Sequence, residues 1–511
     1  MRVLLFGIDG LTFRILHPMM ERGLLPNFQR VRDGGVQGVL QSTTPPMTPP
    51  AWMSISTGLS PAKHGIYDFW EYEQTDSGPR ARVMTHRKGG KAIWNVLSEY
   101  GKQVVVANVP MTFPPEAING IMLSGYMAPD MKANVTYPAS FKEELLEAVP
   151  DYQIDLNPAV SGGQIGDPLG ETLKMTRGRL AMFRLLLNKP WDFFFIACSG
   201  ADRIQHLRWE QIMAFHPQAV EYYQMLDEML GMALSTLNAE DLLLIVSDHG
   251  FQGVRRKFYI QEYLYRNGWL LMRDRVHRRR AELLGFARIL VRSLGLRRRV
   301  HVLRKRLRQT GIIAVEKEHH TAEMPDLDWI RSRAYIPSSS GSIAGYADIV
   351  LSDLMTEADI NKLVTALREI RDPETAQPLI AEVYREDAFG TGPFALHERH
   401  LVVLSNENIS LPTELGRKSL WETSNASTGI HHPDGILYLY GAHVKKGATI
   451  SPAHVYDVVP TILAIMDVPL PLELDGKVID EAFEHLLSRD SSTKDESPVM
   501  RKLKRLSSHS I

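Results

Sequence analysis

The sequence predicts an α/β fold, a central, mostly parallel sheet flanked by helices and carrying an inserted cap segment. Three observations lead there. Short apolar runs recur within 2–8, 104–107, 192–198 and 242–246, and runs of that length bounded by turn residues read as strands buried on both faces. Amphipathic helical spacing alternates with them. An acid or an imidazole follows several runs directly, and open α/β sheets gather their functional groups at the carboxyl ends of strands.

The chain has 511 residues and a net charge of -1, so its overall charge implies no polyanionic partner and no nucleic acid. Its single cysteine, Cys198, excludes a disulfide framework and favours a cytoplasmic location. The opening apolar run is too short for a secretory leader. No uncharged apolar run reaches the length of a membrane span.

Taken in order, residues 2–8 form the first strand, closed by Asp9-Gly10, where the acid is either a turn residue or a ligand. A short helix over 26–35 ends at glycine, and Val36 to Leu40 form a strand. The stretch Thr43-Thr-Pro-Pro-Met-Thr48-Pro-Pro-Ala-Trp52 places Thr48 at a helix start, with Pro49 or Pro50 in the first turn. Thr48 is then either a plain cap or a group set beside free N–H donors and a positive dipole end that suit a phosphate. His64, in the turn 60–66, reads better as a structural histidine than as a ligand.

A helix over 90–101 and the strand 104–107 lead to Asn108, and 118–124 suggest a further strand. Helices are expected over 139–148 and 169–188, with a Gly-rich loop over 151–168. After the strand 192–198, Asp202 and His206 stand four apart, which on a helix puts them on one face. They are either an exposed acid–imidazole pair or two ligands to one ion. A long helix over 218–237 precedes the strand Leu242–Val246 and then Ser247-Asp248-His249-Gly250. Carboxylate plus imidazole suits a divalent metal, and a helix-cap Asp beside a surface His is the alternative.

An amphipathic helix within 252–270 precedes a change of composition. Arg273 to Arg308 hold fourteen Lys/Arg and two Asp/Glu, with Leu283, Phe286, Ile289, Leu290 and Leu294 interspersed at helical spacing. This stretch is either a cap helix packed on the main domain or an element lying on an anionic membrane surface. His319 and His320 fall in a polar loop without an assigned role. Strands over 328–336, 344–351, 379–384 and 400–404 surround a helix over 356–370. His431 and His432 precede a turn and a strand, and 451–466 read as the last helix. Residues 486–511 have the composition of a disordered tail.

Gly7-Ile-Asp9-Gly, Thr48-Pro-Pro-Ala-Trp52, His64-Gly-Ile, Asp202-x3-His206, Ser247-Asp248-His249-Gly-Phe and Gly429-Ile-His431-His-Pro-Asp-Gly435 together resemble the alkaline phosphatase superfamily, in its type I phosphodiesterase/nucleotide pyrophosphatase branch. The chain is similar to microbial proteins described as predicted phosphohydrolases or phosphomutases. The resemblance covers about residues 2–480. It implies an alkaline-phosphatase-like catalytic domain over 1–270 and 325–485, with 271–324 as a basic helical insertion. It further implies two divalent ions, zinc with manganese as the alternative. One would be held by Asp202, His206 and His431, and the other by Asp9, Asp248, His249 and the Thr48 oxygen. Thr48 would be the nucleophile that forms a covalent phospho-threonine with a phosphate ester.

One departure concerns the substrate contact. The branch carries an Asn shortly after the His-Gly-Ile element, and here that stretch reads His64-Gly-Ile-Tyr-Asp68. Asn108 and Arg203 are the candidates for substrate contacts. The leading expectation is a phosphodiesterase or pyrophosphatase acting on a phosphate-ester small molecule. A phosphomutase, or a head-group transferase acting on a glycan or lipid-linked substrate at a membrane through 273–308, is the alternative. A non-catalytic protein with a vestigial site is the remaining reading. Sulfatase chemistry is disfavoured, because the one cysteine lies in a strand. The oligomeric state is open.

Overall fold

The computed structural model describes residues 1–75, 78–84, 86–156, 166–272, 327–337, 345–385, 389–395, 400–425 and 427–485. The basic stretch 273–308, His319 and His320, and the tail 486–511 lie outside the described residues.

A ten-stranded sheet forms the centre. Its order is Ala448–Thr449, Val36–Gln41, Asp434–Gly441, Leu242–Val246, Val3–Ile8, Phe193–Cys198, Val104–Ala107, Gly120–Leu123 and Thr136–Tyr137, with Ala453–His454 pairing along Val36–Gln41. Val3–Ile8 runs parallel to both of its neighbours, and Asp434–Gly441 runs antiparallel to both of its own. The apolar runs are continuous because both faces are covered. Leu4, Phe6 and Ile8 pack towards Ile15, Phe28, Phe183 and Leu226, while Val3 and Leu5 pack towards Trp52, Trp94, Val458 and Ile462.

A second, four-stranded antiparallel sheet joins Ala334–Tyr335, Tyr346–Leu351, His400–Ser405 and Ile380–Tyr384. The helix Glu357–Glu369 packs Leu363 and Leu367 against Ile349, Leu401 and Val403. Thr356 caps this helix and Asp359 returns the bond, a reciprocal capping box.

The structure departs from the sequence reading in four places. The strand expected over 328–336 shrinks to Ala334–Tyr335, because Ser332 turns back to bond the Asp328 carbonyl through both its amide and its hydroxyl. The helix expected from 451 begins at Val458, because Ala453–His454 extend the central sheet beside Leu40 and Gln41. The helix Phe13–Glu21 has Pro18 inside it, a residue that discourages a helical reading. A hairpin, Trp70–Thr75 with Gly78–Val83, follows the His64 turn unannounced by the sequence pattern.

Candidate metal centre and nucleophile

Strand register brings the acids to one level. Ile8 lies opposite Cys198 and Gly7 opposite Val246, so Asp9, Asp202 and Asp248 emerge side by side at the carboxyl edge. The Asp9 amide donates to the Cys198 carbonyl at 3.0 Å, and the Asp202 amide donates to the Asp9 carbonyl at 3.1 Å. Asp202 sits in the first turn of the helix Gly200–Met213, with His206 one turn on. His431 lies in the strand Gly429–His432, ahead of the strand Asp434–Gly441. Its strand pairs antiparallel with Gly250–Gly253, which sets His431 opposite Phe251. That pairing carries His431 over His249, with ring centroids 3.6 Å apart.

Two groups result. Asp202 Oδ1 is 3.1 Å from His206 Nε2 and 3.2 Å from His431 Nε2, and these two nitrogens are 3.0 Å apart. His249 Nε2 is 3.5 Å from Asp9 Oδ1, 3.2 Å from Asp248 Oδ2 and 3.4 Å from Thr48 Oγ1. Ligands at roughly 2.0–2.1 Å from one ion in a tetrahedron stand about 3.3 Å from each other. Both groups fit that spacing. Asp9 Oδ1, Asp202 Oδ1 and Asp248 Oδ2 are buried and accept no hydrogen bond from the described residues. Orphaned carboxylate oxygens facing imidazole nitrogens are what a bound cation would satisfy.

The imidazoles are prepared for the same role. His206 Nδ1 is 3.1 Å from the Gly429 carbonyl, His249 Nδ1 is 3.1 Å from the Gly250 carbonyl, and His431 Nδ1 is 2.9 Å from the Pro46 carbonyl. A carbonyl at Nδ1 holds the proton there and leaves Nε2 as a lone pair. Burial, followed by the neighbouring histidines, pushes His249 well below its ordinary value, and burial lowers His431 as well, so both stay neutral. Burial and then nearby acids push Asp9 and Asp248 well above the usual carboxylate range. Burial also opposes ionisation of Asp202, but its neighbours, with the Arg203 guanidinium among them, outweigh it and hold that carboxyl well below the usual range. A dry pocket with this much incipient negative charge calls for cations.

Thr48 occupies the first position of the helix Thr48–Thr57 and is 2% exposed. The expected row of free N–H groups beside it is absent. Pro49 and Pro50 have no amide hydrogen, and the Ala51 amide bonds the Met47 carbonyl at 3.1 Å. Among the first three helical positions, only the amide of Thr48 itself can donate. The prolines fix the backbone of the hydroxyl instead. His64 lies in the same region in a supporting position. Its Nδ1 accepts from the Ile66 amide at 3.2 Å, so Nε2–H donates to Ser54 Oγ at 3.1 Å.

The two substrate candidates differ. Arg203 makes a bidentate pair with Asp155 at 3.1 and 3.2 Å, reaches Asp202 Oδ2 at 2.9 Å, and lies 4.2 Å over the Tyr126 ring. Its guanidinium is committed to these partners. Asn108 follows the strand Val104–Ala107 with a left-handed backbone, φ 58°. Its Oδ1 accepts from Tyr152, while its buried Nδ2 has no partner among the described residues.

The sequence reading missed Trp52, whose Nε1 donates to Asp9 Oδ2 at 3.2 Å, and the Gly10 amide, which donates to Asp248 Oδ1 at 3.1 Å. It also missed Asp155. Trp52 stands one helical turn after Thr48, and that spacing was the available signal; Asp155 had none.

No curated protein matches the chain. Among solved structures, phosphonoacetate hydrolase from Sinorhizobium meliloti 1021 is similar at 15% identity and a TM-score of 0.54, covering 90% of this chain and 94% of that one. Murine ectonucleotide pyrophosphatase/phosphodiesterase 5 is similar at 13% identity and a TM-score of 0.52, covering 92% and 96%. These likenesses establish the alkaline-phosphatase-like fold. Residues 3–348 match the model of the family described as type I phosphodiesterase/nucleotide pyrophosphatase. The chain therefore belongs to the type I phosphodiesterase/nucleotide pyrophosphatase family, phosphoester hydrolases of the alkaline phosphatase superfamily.

Proposed function

We propose that the protein hydrolyses a phosphoric diester or pyrophosphate through a covalent intermediate on Thr48. The observation that carries this is the position of Thr48 Oγ1 at 3.4 Å from His249 Nε2, beside the open oxygens of Asp9 and Asp248. Asp202, His206 and His431 would hold one divalent ion, zinc or manganese. Asp9, Asp248, His249 and the Thr48 oxygen would hold the other. Such ions would lower the pKa of the Thr48 hydroxyl and offset charge on the attacking and leaving oxygens.

Thr48 Oγ1 loses its proton and forms a bond to phosphorus, and the bond from phosphorus to the leaving oxygen breaks, the departing oxygen taking up a proton. Water then attacks the same phosphorus, the phosphorus–Oγ bond breaks, and the hydroxyl is restored. The prolines on both sides of the Met47-Thr48 pair hold Oγ in position for an in-line approach. The unpartnered Asn108 amide is our candidate donor to a phosphoryl oxygen, in place of the Asn absent after His64-Gly-Ile. Diesters of nucleotides are the first substrates to try. The murine protein named above has also been solved in an inactive threonine-to-alanine form in complex with AMP.

The test is Thr48→Ala, assayed on an aryl phosphodiester and a dinucleotide with added zinc or manganese. The proposal expects loss of turnover by about 10³-fold or more with metal content retained. Near-normal turnover in the metal-loaded variant would exclude the covalent route.

A further inference from the structure

Each of the three buried carboxylates is treated in the same way. Asp9 gives one oxygen to Trp52 Nε1–H at 3.2 Å, Asp248 gives one to the Gly10 amide at 3.1 Å, and Asp202 gives one to Arg203 Nη1 at 2.9 Å. The other oxygen of each accepts nothing from the described residues and faces an imidazole nitrogen. One donor comes from a helix, one from a strand-end turn and one from a charged side chain. Their common feature is the result, one free oxygen per carboxylate.

We propose that these three donors lock Asp9, Asp248 and Asp202 into single-oxygen ligation and so set the metal preference of the site, with Arg203 as the positioning residue that decides it for Asp202. The inference rests on the two-ion reading above. An ion content with few ligand atoms is what a four-coordinate, zinc-like centre uses. Ions that prefer six or more oxygens gain from a carboxylate that can offer both of its own. Arg203 is well placed to withhold the second oxygen of Asp202. It is held on its far side by both Asp155 oxygens and stacked over Tyr126, and its side chain is 17% exposed. The Trp52 indole is fully buried against Phe195 and has no freedom to swing away from Asp9.

The test reads bound metal, not turnover. Full-length protein is stripped, dialysed against equal zinc and manganese, and its metal content is measured, with the manganese spectrum recorded by electron paramagnetic resonance. Zinc outcompetes manganese at most nitrogen–oxygen sites, so the quantity that matters is the manganese-to-zinc ratio of each variant relative to the parent. Arg203→Met and Trp52→Phe each remove a donor and keep an apolar body of similar reach. Each should raise that ratio roughly tenfold, the scale of losing an outer partner of a metal ligand. Arg203→Lys, which keeps a donor, should stay close to the parent.

The two substitutions lie at different ions, so if one variant fails to fold, the other decides. An unchanged ratio in a folded Arg203→Met or Trp52→Phe protein overturns the lock while leaving the two-ion reading intact. A parent protein that binds neither metal overturns both. A ratio raised equally by Arg203→Lys and Arg203→Met assigns the effect to packing and also overturns it.

Discussion

Gly7→Ala tests how the sheet positions the helix Thr48–Thr57 against Asp9. A Cβ at position 7 would come within 2.7 Å of Trp52 Cζ3, closer still to Cη2, and 3.1 Å from the Ile196 carbonyl oxygen. Trp52 is fully buried, so the ring must shift as a body and draw Nε1 away from Asp9 Oδ2. Overpacking of this kind costs about 1–3 kcal/mol. Losing a hydrogen bond to a carboxylate adds about 1.5–3 kcal/mol. Together they predict a loss of about 2.5–6 kcal/mol, read as a lower denaturant midpoint at constant slope. In a Trp52→Phe background the clashing ring atoms and the indole donor are already gone. There the same substitution should cost about 1 kcal/mol, giving a coupling of at least about 1.5 kcal/mol in a double-mutant cycle. Additive effects would refute the claim that Gly7 exists to seat Trp52.

His64 predicts an acid limb in stability. Burial pushes its imidazole down from 6.5 to about 3, so the unfolded chain binds its proton more readily. A depressed folded-state value gives stability that is present above pH 6.5 and is lost as pH falls towards 3. The whole shift corresponds to at most about 5 kcal/mol, and His64→Gln should flatten the slope of unfolding free energy over that window. Chelation should lower the thermal midpoint of the parent, with a loss of roughly 3 kcal/mol or more; a midpoint indifferent to chelator and to added zinc would contradict the paired clusters as metal sites. Thr48→Ser, which keeps the oxygen, should retain measurable turnover where Thr48→Ala does not, with rates on one diester deciding.

Asp9, Asp248 and His249 were legible because they follow apolar runs, and Asp202 with His206 because helical spacing puts them on one face. Such local signals survive in any α/β sheet. His431 was legible as a ligand candidate, but its strand was not, since Gly429–His432 is a strand only by pairing with the four residues after His249. The donors to the second carboxylate oxygens were hidden. Trp52 and the Gly10 amide reach their acids across different elements, and only the helical spacing from Thr48 to Trp52 hinted at one of them; Arg203 is the chain neighbour of Asp202, but adjacency alone does not announce a bond to its carboxylate. The supposed row of amides after Thr48 was an error that the sequence itself could correct, because proline carries no N–H. The hairpin over 70–83 and the helix around Pro18 needed tertiary context to be seen.

The most direct test of the central claim is to capture the covalent intermediate. Metal-loaded protein is mixed with a phosphodiester, quenched in acid within its first turnovers, digested and analysed by mass spectrometry. The account predicts a phosphoryl adduct, carrying the retained ester group, on Thr48 and on no other hydroxyl. A protein that turns over the diester while the peptide containing Thr48 stays unmodified, or that carries the adduct elsewhere, would contradict it.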